Sequence, residues 1–152
     1  MEEKSYGQKI EEEREEKNTQ ELKEKIKESF DYEIVKTEQN ENMLNFEGYH
    51  FEITIENKET KAKESFVYSV GLGHNPNDKP ALFFGLIGCI YSDKNYTDYD
   101  EFLGLGYNED SKKDEKIYDN ICKQYKQAEK IGLISFFDSL TEEEQDKLSE
   151  GL

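Results

Sequence analysis

The sequence predicts an α+β fold: a small three-stranded antiparallel sheet with helices packed on one face, preceded by a charged N-terminal helix. Two observations carry this reading. Tyr49, Phe51, Ile53 and Ile55 alternate with His50, Glu52, Thr54 and Glu56, and Phe66, Tyr68 and Val70 alternate with Ser65, Val67 and Ser69, a period of two that implies strands with one buried and one wet face. Beyond residue 71 the alternation gives way to apolar residues at helical spacing, so the helices follow the sheet and gather on one side of it.

Residues 1–30 read as a charged arm and 31–152 as a single α+β domain, within the ordinary domain range of about 50 to 250 residues. The run Glu11-Glu12-Glu13-Arg14-Glu15-Glu16-Lys17 is helix-prone but has no apolar stripe, so by itself it is helical only transiently or against a partner. Thr19 is a plausible N-cap, after which Leu22, Ile26 and Phe30 share one face of a short helix. Tyr32, Ile34 and Val35 suggest a first strand, and Gln39-Asn40-Glu41-Asn42 begins the loop to the second. Asn57-Lys58-Glu59-Thr60 closes a hairpin between the second and third strands.

Gly71 to Asp78 is a turn-rich connection, and Pro80 stands at the entrance to the apolar run Ala81 to Tyr91, which reads as a helix buried against the sheet. Tyr99 to Leu103 forms a short helical turn ended by Gly104 and Gly106. Ser111 followed by Asp114 opens a helix whose Ile117, Tyr118, Ile121, Cys122, Tyr125 and Ala128 share a face; Gly132 breaks it. Thr141 and Glu144 are a capping box for a last helix.

Charge narrows the function classes. The chain carries 36 Asp and Glu against 20 Lys and Arg, a formal net charge of −16. Such a protein repels nucleic acid and anionic membrane and is drawn to basic surfaces. Its only arginine, Arg14, lies in the N-terminal arm, which argues against a reader of phosphates or guanines. The arm itself is nearly balanced. The excess acid gathers instead at Asp93, Asp98, Asp100, Glu101, Glu109 and Asp110, opposed by Lys94, and at Asp138, Glu142, Glu143, Glu144, Asp146 and Glu150, opposed by Lys147. A charge run is usually a solvated face that maintains solubility. The N-terminus has no apolar signal core and the longest apolar stretch is too short to span a bilayer, so a cytoplasmic location in the host cell is expected. Cys89 and Cys122 fall in apolar helical patterns and read as buried free thiols.

No residue pattern announces a reaction. Gly71-Leu72-Gly73 lacks the third glycine of a dinucleotide loop and is not followed by the lysine of a P-loop. Asp93, Asn95 and Thr97 start like an EF-hand, but Asp98 stands where glycine must turn and Gly104 where a bidentate glutamate is needed. His50, expected on the wet strand face, and His74, in a loop, have no second ligand at metal spacing. No catalytic residue, metal or cofactor is expected.

The succession Tyr68-Ser69-Val70-Gly71-Leu72-Gly73-His74, Cys89-Ile90-Tyr91-Ser92-Asp93, Tyr99-Asp100-Glu101-Phe102 and Gly106-Tyr107-Asn108-Glu109-Asp110-Ser111-Lys112-Lys113 resembles a family of small acidic proteins encoded by bacteriophages and mobile elements. The ending Phe136-Phe137 with Leu140-Thr141-Glu142-Glu143-Glu144 is similar too. The resemblance covers residues 48 to 150. It departs at Leu103-Gly104-Leu105, where a more polar helix end is expected, and in the added charged arm. It implies a phage or mobile-element origin and, with the charge, an anti-CRISPR-like inhibitor of a host nucleic-acid-dependent defence complex. The alternatives are a non-enzymatic interaction or assembly protein whose acidity serves solubility, and an enzyme without a local motif. On the inhibitor reading, Asp93, Tyr96, Asp98, Tyr99, Asp100 and Glu101, then Asn108, Glu109 and Asp110, and Glu142, Glu143 and Glu144 form the partner-binding set. Within the family run, Tyr107 is expected to insert its ring while its hydroxyl stays wet. The partner is a basic protein surface, without direct nucleic acid or membrane contact; homo-oligomers are possible.

Overall fold

A computed structural model describes residues 5–37, 47–94, 96, 98–108 and 112–150. The polypeptide begins with one continuous helix, α1 (Tyr6–Ser29). Ser5 and Gln8 form a reciprocal capping box, with Ser5 Oγ accepting from the Gln8 amide at 3.3 Å and Gln8 Oε1 from the Ser5 amide at 3.1 Å. Thr19 is therefore not a cap. Its hydroxyl bonds back to Glu15 O at 2.9 Å inside the helix, because the Glu, Lys and Gln residues before it are good helix formers. Only Leu22 and Ile26 of α1 are buried, and residues 5–17 are exposed throughout. The last turns of the arm thus belong to the core.

Phe30 leaves the helix and starts β1 (Phe30–Thr37), followed by β2 (Gly48–Asn57) and β3 (Lys63–Gly71). They form an antiparallel sheet in the order β1-β2-β3. Register sets Ile34 opposite Ile53 and Ile53 opposite Phe66, so each strand contributes to one apolar face. Val35, grouped with the apolar residues of the first strand in the sequence, points the other way and is 55% exposed. His50 also departs from expectation. It sits in the wet-face register yet is buried, and Ser69 across the ladder meets its Nδ1 at 2.6 Å. In the β2–β3 turn, Asn57 Oδ1 accepts from the amides of Glu59 (3.0 Å) and Thr60 (3.1 Å). The expected loop at 39–42 lies outside the described residues.

Helix α2 (Lys79–Asp93) is capped by Asp78, which accepts from the Ala81 amide at 3.2 Å, with Pro80 in its first turn. It buries Phe83, Phe84, Leu86, Ile87 and Ile90, and Tyr32 of β1 stacks on Phe83 with ring centres 4.1 Å apart. Gly85 is needed where Tyr68 crosses the helix: a Cβ there would lie 2.5 Å from the Tyr68 hydroxyl oxygen. Cys89 is exposed and not buried as its apolar neighbours suggest, since the helix is covered only on the sides that meet the sheet and its partner helices; Cys122 is half-buried. Both are free thiols.

Helices α3 (Tyr99–Leu103) and α4 (Lys112–Lys130) follow. Of the shared face expected on α4, Ala128 is fully buried and the remainder half-buried. Ser111, its expected cap, lies outside the described residues. Gly132, at φ 82°, breaks the helix, and Asn57 Nδ2 donates to Ile131 O at 2.9 Å, joining this corner to the β2–β3 turn. Two short helices close the chain, α5 (Leu133–Asp138), which the sequence reading does not anticipate, and α6 (Glu142–Ser149). The capping box of α6 forms as expected, with Thr141 Oγ1 accepting from the Glu144 amide at 3.2 Å and Glu144 Oε1 from the Thr141 amide at 3.0 Å. Among the described residues no helix is long and apolar enough to cross a membrane.

Candidate functional site

Phe102 anchors the first acidic region. It is 1% exposed and stacks on Tyr107 at 4.2 Å, with Tyr118 of α4 at 5.4 Å and Tyr99 at 6.2 Å. This aromatic group is a satellite of the main core and fixes a helix too short to stand alone. Tyr99 is accordingly half-buried, with its ring edge-on to Tyr118 at 5.0 Å. Tyr107 keeps 40% of its surface exposed. The Tyr118 hydroxyl is pushed up to about 12, first by its bond to Cys122, then by burial and nearby negative charge, Asp98 included.

Asp98 caps α3, its Oδ1 accepting from the Asp100 amide at 2.9 Å. Asp100 and Glu101 occupy the first turn and are exposed, where the positive end of the helix favours carboxylates. Asn108 is exposed, its amide donating to Asp114 Oδ2 at 2.6 Å. Glu109 and Asp110 lie outside the described residues.

Asp93 is only half-buried, and burial pushes its carboxyl up to about 6 from 3.8. A raised acid binds its proton more tightly in the folded state. Its contribution therefore favours folding below about pH 3.8 and is lost as pH rises through about 6. Asp93→Asn should stabilise the protein by about 1 kcal/mol near pH 8 and give no advantage near pH 3, which denaturant titrations at both values will measure.

The second region begins where the first does. Lys94, the residue after α2, donates to Asp138 Oδ1 at 2.9 Å and holds its ammonium 4.2 Å from the centre of the Tyr91 ring. Helix α6 packs along α2, whose last residue is Asp93. Glu142 and Glu143 are exposed at the start of α6, and Glu143 accepts from Asn18 Nδ2 of α1 at 3.0 Å. Glu144 is different. It is 9% exposed, completes the capping box and pairs with Lys25 of α1 at 2.9 Å, so it ties α6 to α1 and does not face outward. Tyr96 is half-buried, with its amide on Asp93 O at 2.9 Å.

Burial alone would raise the Glu144 carboxyl, but the bonds from Thr141 and Lys25 hold it below its usual 4.5. A depressed acid stabilises the fold above its unfolded value, and that stability is lost as pH falls through the folded value. Glu144→Gln should therefore destabilise the protein by about 1 to 3 kcal/mol at pH 7, with the difference shrinking below pH 4.5. Thermal melts at pH 7 and pH 3 will show it.

Sequence reasoning missed Leu105, 55% exposed beside the acids of α3, although the apolar interruption Leu103-Gly104-Leu105 was its signal. Lys94 and Asp138 as a tie between regions had no signal, because their separation of 44 residues is bridged only by folding. Among the described residues no three His, Cys, Asp or Glu side chains converge as they would on a metal ion. The class that these observations define is an α+β protein with a one-sided sheet and exposed carboxylates on α3 and α6. No protein-family model, curated protein or solved structure matches the chain.

Proposed function

We propose that this protein is a phage- or mobile-element-encoded stoichiometric inhibitor of a host nucleic-acid-dependent defence complex, anti-CRISPR-like in action. It occupies a basic nucleic-acid groove with its acidic helical surface, in the host cytoplasm, without catalysis. The observation that carries this reading is the Lys94–Asp138 bridge, which ties the residue after α2 to the end of α5, while Asp100 and Glu101 of α3 and Glu142 and Glu143 of α6 are exposed. Acids supported on short, well-anchored helices present fixed negative charge where a groove expects phosphates. Leu105 and the exposed part of Tyr107 supply apolar contact within a charged rim, the usual composition of an interface centre.

Fixed-charge binding of this kind weakens with ionic strength. Raising salt from about 0.05 M to about 0.5 M should weaken the complex by at least about tenfold, measured by calorimetry on the captured effector, and inhibition should level off at one inhibitor per effector. Salt-insensitive binding, or inhibition at strongly substoichiometric amounts, would contradict the proposal.

A further inference from the structure

The sheet has two edges, and the fold treats them differently. On β3, Gln124 and Gln127 of α4 donate to the main-chain oxygens of Val67 (3.0 Å) and Ser65 (2.9 Å). Those odd-numbered residues therefore point away from β2, and α4 covers that edge. Antiparallel alternation then fixes the rest: the even residues of β3 face odd residues of β2, and even residues of β2 face odd residues of β1. Three bonds at the margin agree with this assignment. Asn57 N–H reaches Ala62 O at 2.9 Å, Lys58 N–H reaches Ser29 O at 3.0 Å, and Phe30 N–H turns back to Ile26 O.

Tyr32, Ile34 and Lys36 consequently direct their main-chain N–H and C=O groups outward from the free edge of β1. Among the described residues no strand or side chain bonds to them. A row of alternating donors and acceptors, repeating about every 6.8 Å, is complementary to an extended chain. We propose that β1 accepts an extended, basic segment of a partner protein as a fourth strand.

The chemistry of the segment follows from the flanking side chains. Asp31, Glu33 and Val35 project from the solvent face beside this edge, and all three are exposed. Asp31, largely exposed, meets the half-buried Lys58 at 3.6 Å, and Glu33 has no ion pair among the described residues. An antiparallel strand carrying an apolar residue opposite Val35 and basic residues opposite Glu33 and Asp31 meets each in turn. A second copy of this chain does not fit. Antiparallel pairing of β1 with itself sets acids, valine or threonine against those carboxylates, and each copy carries −16. The edge lies on β1, apart from α3 and α6, so it stands independently of the acidic helical surface.

The test is amide hydrogen exchange by NMR on the whole protein, with the synthetic peptide acetyl-Thr-Val-Thr-Lys-Thr-Lys-Thr-amide as probe. Tyr32, Ile34 and Lys36 amides are expected to exchange at least about tenfold more slowly with saturating peptide. Asp31→Lys with Glu33→Lys should weaken binding by at least about tenfold, while Asp100→Lys with Glu101→Lys leaves it unchanged. Amides remote from β1 report whether the double variant folds, and Glu33→Gln is the milder substitute. No protection at millimolar peptide, or perturbation confined to α3 and α6, overturns the proposal and leaves the edge charges as guards against aggregation.

Discussion

Replacing Asp100 and Glu101 with lysine is expected to weaken partner binding by at least about a hundredfold, about 2.7 kcal/mol, while the fold is retained. Both side chains are exposed in the first turn of α3, so reversal removes attraction and adds repulsion against a basic groove. Asp98 should be left in place. Because its carboxylate caps α3, Asp98→Lys would cost about 1 kcal/mol of helix stability and confuse loss of charge with loss of structure. Asp98→Asn keeps the cap and removes only the charge, so it should give a smaller loss of binding with an unchanged melting temperature. Calorimetry on the complex, with circular dichroism of each free variant, measures both.

Phe102→Ala is expected to have the largest effect on stability among changes near the site. The ring is almost wholly buried between Tyr107, Tyr118 and Tyr99, and truncation of a buried Phe costs about 3 to 5 kcal/mol. The loss is local at first, since this aromatic group is separate from the core built around Phe83 and Ile53. Binding should fall as far as in the double reversal even though net charge is unchanged. The comparison decides between two accounts of the acidity. If charge alone mattered, Phe102→Ala would bind as well as the native protein; if placement matters, it will not.

The sheet was legible because its evidence is local. Alternation from Tyr49 to Glu56 and from Ser65 to Val70 needs only neighbouring residues, and it places Ile53 and Phe66 on the buried face. The capping box at Thr141 and the break at Gly132 are local in the same way. What the sequence concealed is tertiary. Glu144 reads as one of three equivalent acids in a run, and only the approach of Lys25 from α1 separates it from Glu142 and Glu143. His50 reads as wet from its register and becomes buried beside Ser69. Cys89 reads as buried from its apolar neighbours, yet a helix apolar nearly all round still leaves a stripe uncovered. In α1, a segment without an apolar stripe is helical through propensity and its Ser5–Gln8 cap.

On the proposed function, fixed carboxylates on α3 and α6 compete with nucleic acid for a basic groove. Affinity capture from a bacterial lysate, run with the native chain and with the Asp100→Lys, Glu101→Lys variant, tests it directly when duplex DNA or guide RNA is added as competitor. A nucleic-acid-binding protein is expected to be retained by the native chain, displaced by competitor and not retained by the variant. Retention by both chains, unmoved by added nucleic acid, would contradict it.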